Sequence, residues 1–211
     1  GVKESGREYG SWSEVLLKEG YIAGNNAYED PGGALDVLLC PSWAPFRFMQ
    51  DNVSGQGHWR TFGMRRPAGA FPDRSFDGIE MPVYAGFEEG DGTDEVGFIE
   101  LSNVRNSGRF FLLGDTISLN HSSFVPLSQI WSLSARAERP HDRNLIHMRH
   151  QGAANLLFAD GHVAPTAPDQ LRRSFDYFLD ESTIDSKIGY VTGDSVGELT
   201  KLLFDGSEID F

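Results

Sequence analysis

Side chains that can bind a metal ion are concentrated in one short stretch of the chain. Within a span of 16 residues stand four of them: His147, His150, Asp160 and His162. Zinc is held by three or four converging nitrogen, oxygen or sulfur atoms, so this stretch is a candidate site for a divalent metal. We favour a structural interpretation, because the sequence does not place the four side chains on one face. In it His150 bonds a buried carbonyl or carboxylate, Asp160 bonds its own turn and Gly161 supplies the backbone conformation.

A second group of potential ligands is acidic. Residues 88–95 contain five carboxylates and two glycines. The candidate calcium ligands are Glu89, Asp91, Asp94 and Glu95. Calcium prefers carboxylate and carbonyl oxygens, but the spacing of an EF-hand loop is absent. We therefore expect a solvated acidic loop and no cofactor, with calcium or another divalent cation as the alternative.

Two residues could act as nucleophiles. Ser195 lies in a G-x-S-x-G pattern, but no histidine follows it, as the triad order of that hydrolase fold requires. Cys40 is the chain's one cysteine, so neither an intramolecular disulfide nor a cluster of thiolates can form. Its apolar flank predicts the end of a buried strand, where a free cysteine acts as a small hydrophobic residue. We expect the chain not to be an enzyme.

The composition is that of one acidic globular domain. The chain has 211 residues, of which 39% are hydrophobic, and this is enough to bury a core within a single domain spanning residues 1–211. Eighteen lysines and arginines face 31 aspartates and glutamates, which gives a net charge of -13. A phosphate backbone would be repelled, so nucleic acid is not an expected partner.

Hydrophobic periodicity and turn residues predict an α+β fold with short helices and long loops. Helices are predicted at residues 13–19, 169–175 and 196–204. Strands are predicted at residues 35–40, 96–101, 109–113, 145–150, 154–159, 162–164 and 188–191. Residues 42–94 are expected to be rich in loops, because many of the glycines and prolines lie there.

The strands at 154–159 and 162–164 are predicted to form a hairpin. An Asp160-Gly161 pair between apolar strands is typical of a two-residue type I′ turn. In that register Phe158 faces Val163, so Val163 shares one face of the sheet with Leu156 and Phe158. Both faces of the first strand are apolar, which predicts a strand covered on each side.

The spacing around this hairpin resembles a family motif. Nine residues separate His150 from Asp160-Gly161, as in the C-terminal H-X9-DG motif of bacterial prepilin-type, or pseudopilin-like, proteins. Other stretches follow in the family's order: Trp12 with Leu16-Leu17, Leu39-Cys40-Pro41-Ser42, Thr61-Phe62-Gly63-Met64 and Phe110-Phe111-Leu112-Leu113-Gly114-Asp115. The resemblance covers about residues 12–165 and leaves residues 166–211 as a C-terminal extension of unknown role, with partner binding or capping as the options.

The resemblance implies a structural function. Members of this family have a head with an antiparallel sheet and a long N-terminal helix in the inner membrane. This chain has no apolar run of about 20 residues, so the anchoring helix is expected only in a longer form. The implied role is that of an extracytoplasmic subunit of a pilin-like or type II secretion pseudopilus assembly. Its partners would be sibling pilin-like subunits or the secretion machinery.

Two other functions remain open. An extracytoplasmic module that binds carbohydrate or another small ligand could use Trp43, Phe46 and Trp59 to stack on sugar faces. A metal-dependent hydrolase would be built from the histidines and the aspartate of the 16-residue stretch.

Overall fold

The computed structural model describes most of the chain from Leu101 onward and shorter pieces before it. The described residues are 21, 40, 62–65, 75–76, 79–80, 84–89, 94–99, 101–119, 129, 132–133, 137, 144–176, 179–193 and 198–209. The helix expected at 13–19, the strand expected at 35–40 apart from Cys40, and the aromatic residues Trp43, Phe46 and Trp59 lie outside them.

Short strands alternate with few helices along the described chain. The strands are β1 (Gly63–Arg65), β2 (Ser75–Phe76), β3 (Ile79–Glu80), β4 (Tyr84–Glu89), β5 (Asp94–Ile99), β6 (Phe111–Gly114), β7 (Thr116–Ser118), β8 (Ser132–Leu133), β9 (Asn144–His147), β10 (Ala154–Phe158), β11 (Val163–Thr166), β12 (Gly189–Thr192), β13 (Thr200–Leu203) and β14 (Glu208–Ile209). The helices are α1 (Pro168–Arg173) and α2 (Glu181–Lys187), with a 3-10 turn at Leu101–Asn103.

These strands build two five-stranded sheets and two separate hairpins. The first sheet has the order β11-β10-β6-β1-β8 and the second has the order β14-β13-β12-β9-β7. Neighbouring strands are antiparallel except for β1 with β8 and β12 with β9, which are parallel. The fold is therefore mixed α+β, as the sequence predicts at this coarse level. Within the described residues, neither helix has the length and apolar character needed to cross a membrane.

The region expected as a C-terminal extension is part of the second sheet. Residues 166–211 supply β12, β13 and β14, and β12 pairs in parallel with β9 at the centre of that sheet. Leu171, Phe175 and Ile184 of the same region are fully buried. The extension and the family-like region therefore share one sheet and one core, so residues 166–211 are not an appendage to a finished fold.

The β10–β11 hairpin differs in register from the predicted one. Leu157 pairs with Val163, so the loop has three residues rather than two. Gly161 N donates to the Phe158 carbonyl and Phe158 N donates to the His162 carbonyl, both at 2.9 Å. With a φ of 90° at Gly161, this is a type I turn followed by a glycine bulge. The two-residue turn with positive φ occurs one turn earlier, at Gln151 and Gly152.

This register corrects the predicted position of Val163. A shift of one residue moves a side chain to the opposite face of a sheet. Leu156 and Phe158 are buried, whereas Val163 is 66% exposed and pairs with the half-buried Leu157. One face of β10 therefore faces the core, and the other is only partly covered.

The helix predicted at 196–204 is a strand over its described part. Thr200–Leu203 forms β13, which pairs with strands on both sides. Burial alternates from Leu199 to Leu203, which is the period of a strand rather than a helix. Asp205-Gly206 closes the β13–β14 hairpin with the same pattern as Asp160-Gly161: Gly206 N donates to the Leu203 carbonyl and Leu203 N donates to the Ser207 carbonyl. Tertiary pairing overrides a leucine spacing that also suits a helix.

Other expected elements are present with shifted ends. The predicted strands at 96–101 and 109–113 correspond to β5 and β6, and the predicted helix at 169–175 corresponds to α1. The stretch at 42–94, expected to be loops, contains β4, which pairs residue by residue with β5. Helix α2 was not predicted. It begins after Asp180, whose side chain accepts the backbone N–H of Thr183 at 3.0 Å as an N-cap.

Two apolar clusters fill the described part of the core. The larger one joins β6 and β10 to both helices, and the rings of Phe111 and Phe175 meet edge to face at 5.8 Å. The smaller one lies on the second sheet and includes Ile117, Leu145 and Val191.

The corrected hairpin register can be tested with two substitutions. We expect Leu156→Ala to lower the free energy of unfolding by about 2–5 kcal/mol, because it leaves a cavity at a fully buried site. We expect Val163→Ala to change it by less than about 0.5 kcal/mol, because this side chain is exposed. Urea unfolding of both variants measures the difference. Similar losses for the two variants would restore the register predicted from the sequence.

Candidate functional site

A buried aspartate stands where the chain passes from one sheet to the other. Asp115 is the single residue between β6 of the first sheet and β7 of the second, and it is 0% exposed. Its backbone N–H donates to the Asn155 carbonyl at 3.2 Å, and its carbonyl accepts the N–H of His147 at 3.0 Å. Its side-chain Oδ2 accepts the N–H of Asn155 at 2.7 Å. One residue therefore bonds to β9 and to β10, which belong to different sheets.

The carboxylate of Asp115 is balanced by a buried arginine. Arg149 Nε lies 4.0 Å from Asp115 Oδ1, and the two side chains are 1% and 0% exposed. Arg149 Nη2 also donates to the carbonyl of Thr116, the first residue of β7. Burial lowers the pKa of the Arg149 guanidinium below its usual value, while the nearby Asp115 and Cys40 act to raise it. The pair brings two charges into the interior, and this is tolerated only when each faces the other.

His150 and Cys40 complete the cluster on the Oδ2 side of Asp115. His150 Nε2 lies 3.1 Å from Asp115 Oδ2 and 3.3 Å from Cys40 Sγ. His150 is fixed by the β9–β10 turn, because its backbone N–H and carbonyl both bond Ala153. Cys40 is held by its own N–H, which donates to Gln129 Oε1 at 2.9 Å. Within the described residues, Cys40, Asp115 and His150 are the only three metal-binding side chains found to converge, with ligand atoms no more than 4.8 Å apart.

This geometry differs from that of a cysteine–histidine–aspartate triad. In a triad the imidazole uses one nitrogen for the nucleophile and the other for the acid that orients it. Here Cys40 and Asp115 both contact Nε2 of His150. The arrangement is that of ligands converging on one point rather than a relay through the ring.

The four candidate ligands of the 16-residue stretch lie in three different places. His150 lies in the cluster just described. His147 is buried and Nε2 donates to the carbonyl of Gly193 at 2.9 Å. Asp160 and His162 follow β10, at the opposite end of that strand from His150, and they contact each other. These four side chains therefore do not converge on one point among the described residues.

The pair at the hairpin tip stabilises its own turn. Asp160 Oδ1 accepts the backbone N–H of His162 at 3.1 Å and contacts its Nδ1 at 2.5 Å. These contacts, the backbone bond first, lower the pKa of the Asp160 carboxyl. The ring of His162 stacks on Phe158 at 4.4 Å with an interplanar angle of 4°. Asp160 thus bonds within its own turn, Gly161 has a positive φ and His150 lies against the Asp115 carboxylate.

Three of the four candidate calcium ligands lie where β4 ends and β5 begins. Glu89 ends β4 and Asp94 begins β5, and their backbones pair directly. Glu95 follows on β5, opposite Glu88, and Asp91 lies outside the described residues.

Residues 194–197, which include Ser195 of the G-x-S-x-G pattern, are also outside the described residues. Gly193, the first residue of that motif, follows β12 with a φ of 109°.

Sequence reasoning missed two members of the cluster as site residues. Cys40 was interpreted as a small buried residue, and it is 2% exposed, but its sulfur faces an imidazole. Asp115 stands out in the sequence only as the last residue of the family-like stretch that begins at Phe110. A carboxylate directly after a run such as Phe110 to Gly114 was the available signal, because a charge at that place needs a partner.

We expect the buried ion pair to be strongly coupled. Asp115→Asn should lower the free energy of unfolding by about 3–5 kcal/mol, because it leaves the Arg149 charge buried without its counterion. Combining it with Arg149→Met should cost less than the sum of the two single changes. Asp185→Asn is the matched control, since Asp185 pairs with Arg172 at the surface and should cost no more than about 1 kcal/mol. Additive losses in urea unfolding would show that the pair is not coupled.

The buried His147 should make stability depend on pH. Burial, followed by repulsion from Arg149, lowers the pKa of His147 from 6.5 to about 3. The unfolded state therefore binds more protons between these values, and the free energy of unfolding falls as the pH drops through this window. The slope reaches about 1.4 kcal/mol per pH unit for one such group.

His147→Gln removes this titration and keeps a donor for the Gly193 carbonyl. We expect a flatter dependence of unfolding free energy on pH between about 6.5 and 5, above the range where most carboxyls titrate. Urea unfolding at several pH values checks this. The same slope in both proteins would mean that His147 is not the group responsible.

Comparisons with known proteins find no relative of this chain. No model of a protein family matches it, no curated protein matches it, and no solved structure matches it. A functional conclusion therefore depends on the chain's own motif, contacts and charges.

Proposed function

We propose that this chain is the head of a non-enzymatic, pilin-like subunit that serves in a pilin or type II secretion pseudopilus assembly. Its partners are sibling subunits or the secretion machinery. It lies outside the cytoplasm and, in its full-length form, is tethered to the inner membrane by a helix that precedes the head. The proposal starts from the resemblance of His150 and Asp160-Gly161 to the H-X9-DG motif of prepilin-type proteins.

The observation that supports it best is the role of the motif residues in the fold. His150 lies before β10 and is paired with Asp115, the residue between the two sheets. Asp160 and Gly161 lie after β10 and form the turn into β11. The motif thus fixes both ends of one strand. Residues that define a fold are what a structural subunit needs, whereas an enzyme motif is expected to gather reactive groups in one place.

The alternatives have less support from the described residues. A hydrolase built on the predicted quartet requires convergence of side chains that bond three different partners: the Gly193 carbonyl, the Asp115 carboxylate and the turn at Asp160. A carbohydrate-binding module draws on aromatic residues that lie outside the described part of the chain. Glycan binding is therefore measured in the experiment that tests the proposal.

The experiment examines the natural gene product in its own cells with an antibody against residues 1–211. We expect a form that sediments with the inner membrane and shortens when a prepilin leader is removed, because an apolar helix of about 20 residues is required to anchor the head. A photoreactive amino acid at Leu101 or Val163 then reports on neighbours. Both side chains are more than half exposed, so these changes should leave the fold intact.

Cross-links to a second copy, to a sibling subunit or to a secretion component support the proposal. A matched probe at the buried Leu156 should give no intermolecular product. Release of a free monomer after cleavage of an ordinary signal peptide, with no cross-linked partner, would contradict the proposal. Glycan binding by that monomer would favour the carbohydrate-binding module instead.

A further inference from the structure

Nε2 of His150 contacts two different groups, and a single proton on this nitrogen does not satisfy both of them. His150 Nε2 lies 3.1 Å from Asp115 Oδ2 and 3.3 Å from Cys40 Sγ. If Nε2 bears a hydrogen, that hydrogen is shared between the carboxylate and a sulfur that accepts weakly. If Nε2 bears none, it can accept from the thiol but has no attraction to the carboxylate. A cation located between the three atoms satisfies all of them at once.

We propose that Cys40, Asp115 and His150 bind one divalent transition-metal ion of the zinc type, through Sγ, Oδ2 and Nε2. This site is independent of the pilin-like function and differs from the quartet predicted from the sequence. It shares only His150 with that quartet. Cys40 and Asp115 come from distant parts of the chain, 110 and 35 residues before His150, so the folded sheets are needed to bring the ligands together.

The spacing suits this class of ion. With ordinary zinc bond lengths, the ligand atoms of a tetrahedral site lie about 3.3–3.8 Å apart. The two measured separations, 3.3 Å and 3.1 Å, are at or just under that range. In these two pairs the atoms would need to move apart by only a few tenths of an ångström, which the side chain of His150 can do because it is 23% exposed. The third pair, Cys40 Sγ and Asp115 Oδ2, lies within 4.8 Å. The same exposure gives the ion a route from solvent and a direction for a fourth ligand.

The donor set selects the metal. One sulfur, one nitrogen and one carboxylate oxygen do not suit calcium or magnesium, which take oxygen ligands. Thiolate with imidazole is typical of zinc and of the neighbouring late transition metals. Binding converts the Cys40 thiol to a thiolate, so the S–H bond is exchanged for a metal–sulfur bond and one proton is released to solvent.

Surrounding groups hold two of the ligands in place. Asp115 Oδ2 has a second lone pair occupied by the N–H of Asn155, and the backbone of Cys40 is fixed by Gln129. Arg149 approaches Oδ1 of Asp115 and leaves Oδ2 for the ion, and its side chain also hydrogen-bonds Cys40, which favours the thiolate form that a metal ion needs. Its positive charge opposes a second cation, but the two anionic ligands, carboxylate and thiolate, offset that repulsion.

The test uses cobalt, because this chain has one cysteine. A thiolate bound to Co²⁺ gives a charge-transfer absorption band in the near ultraviolet, and here only Cys40 can produce it. We expect untagged protein to develop this band with one equivalent of Co²⁺, together with the strong visible bands of tetrahedral cobalt. Zn²⁺ should abolish both sets of bands and raise the melting temperature.

Three variants show which residues bind the ion. Cys40→Ser should lose the ultraviolet band, and His150→Gln should weaken Zn²⁺ binding by about 10- to 100-fold or more, the loss that even an outer-shell partner produces. His162→Ala is the control, since this exposed histidine is at the other end of β10, and it should bind as the wild type does.

A wild-type protein without the charge-transfer band, or a folded Cys40→Ser protein with unchanged zinc affinity, would overturn the proposal. If the variants do not fold, the cobalt spectrum of the wild-type chain decides the question alone.

Discussion

The described structure depends on one buried charge, the carboxylate of Asp115. The chain leaves the first sheet at Gly114 and enters the second at Thr116, so Asp115 belongs to neither strand although it is fully buried. The chain returns from the second sheet to the first between β9 and β10. Asp115 bonds to both sheets, to the first through its carboxylate and to the second through its backbone carbonyl, and its charge must be balanced in the low dielectric of the interior. Asn155 supplies the hydrogen bond and Arg149 supplies the charge.

The buried carboxylate of Asp115 gives His150 a structural role. Its spacing from Asp160-Gly161 identifies the resemblance, and its position against Asp115 places it where the sheets meet. The same nitrogen of His150, Nε2, also contacts the sulfur of Cys40 and so brings Cys40 into the cluster. Residues that stabilise the fold can also bind a ligand. When such residues shield three metal-binding atoms from water, they create the environment that a metal ion needs. The pilin-like function and the proposed metal site are therefore compatible, and each can fail without the other.

Local sequence patterns predicted the positions of helices and strands better than they predicted how the strands pair. The strands on either side of His150, a turn at Asp160-Gly161 and the helix near Asp169 follow from short-range chemistry, and the structure has them. The register of β11 did not follow, because an Asp-Gly pair suits both a two-residue turn and a three-residue turn with a glycine bulge. The strand β13 was mistaken for a helix because leucines at 199, 202 and 203 fit either period in so short a segment. The cluster of Cys40, Asp115 and His150 depends on contacts between residues 35 and 110 positions apart, and no local pattern encodes them.

Native-state hydrogen exchange tests most directly whether Asp115 holds the two sheets together. The amide of Asn155 bonds the Asp115 carboxylate, and the amide of His147 bonds the Asp115 carbonyl. If the junction opens only when the whole domain unfolds, both amides should exchange with a free energy equal to that of global unfolding. Exchange of either amide at a much lower free energy, comparable to that of the exposed hairpin tip at Gly161, would show that the sheets separate locally and would contradict the account.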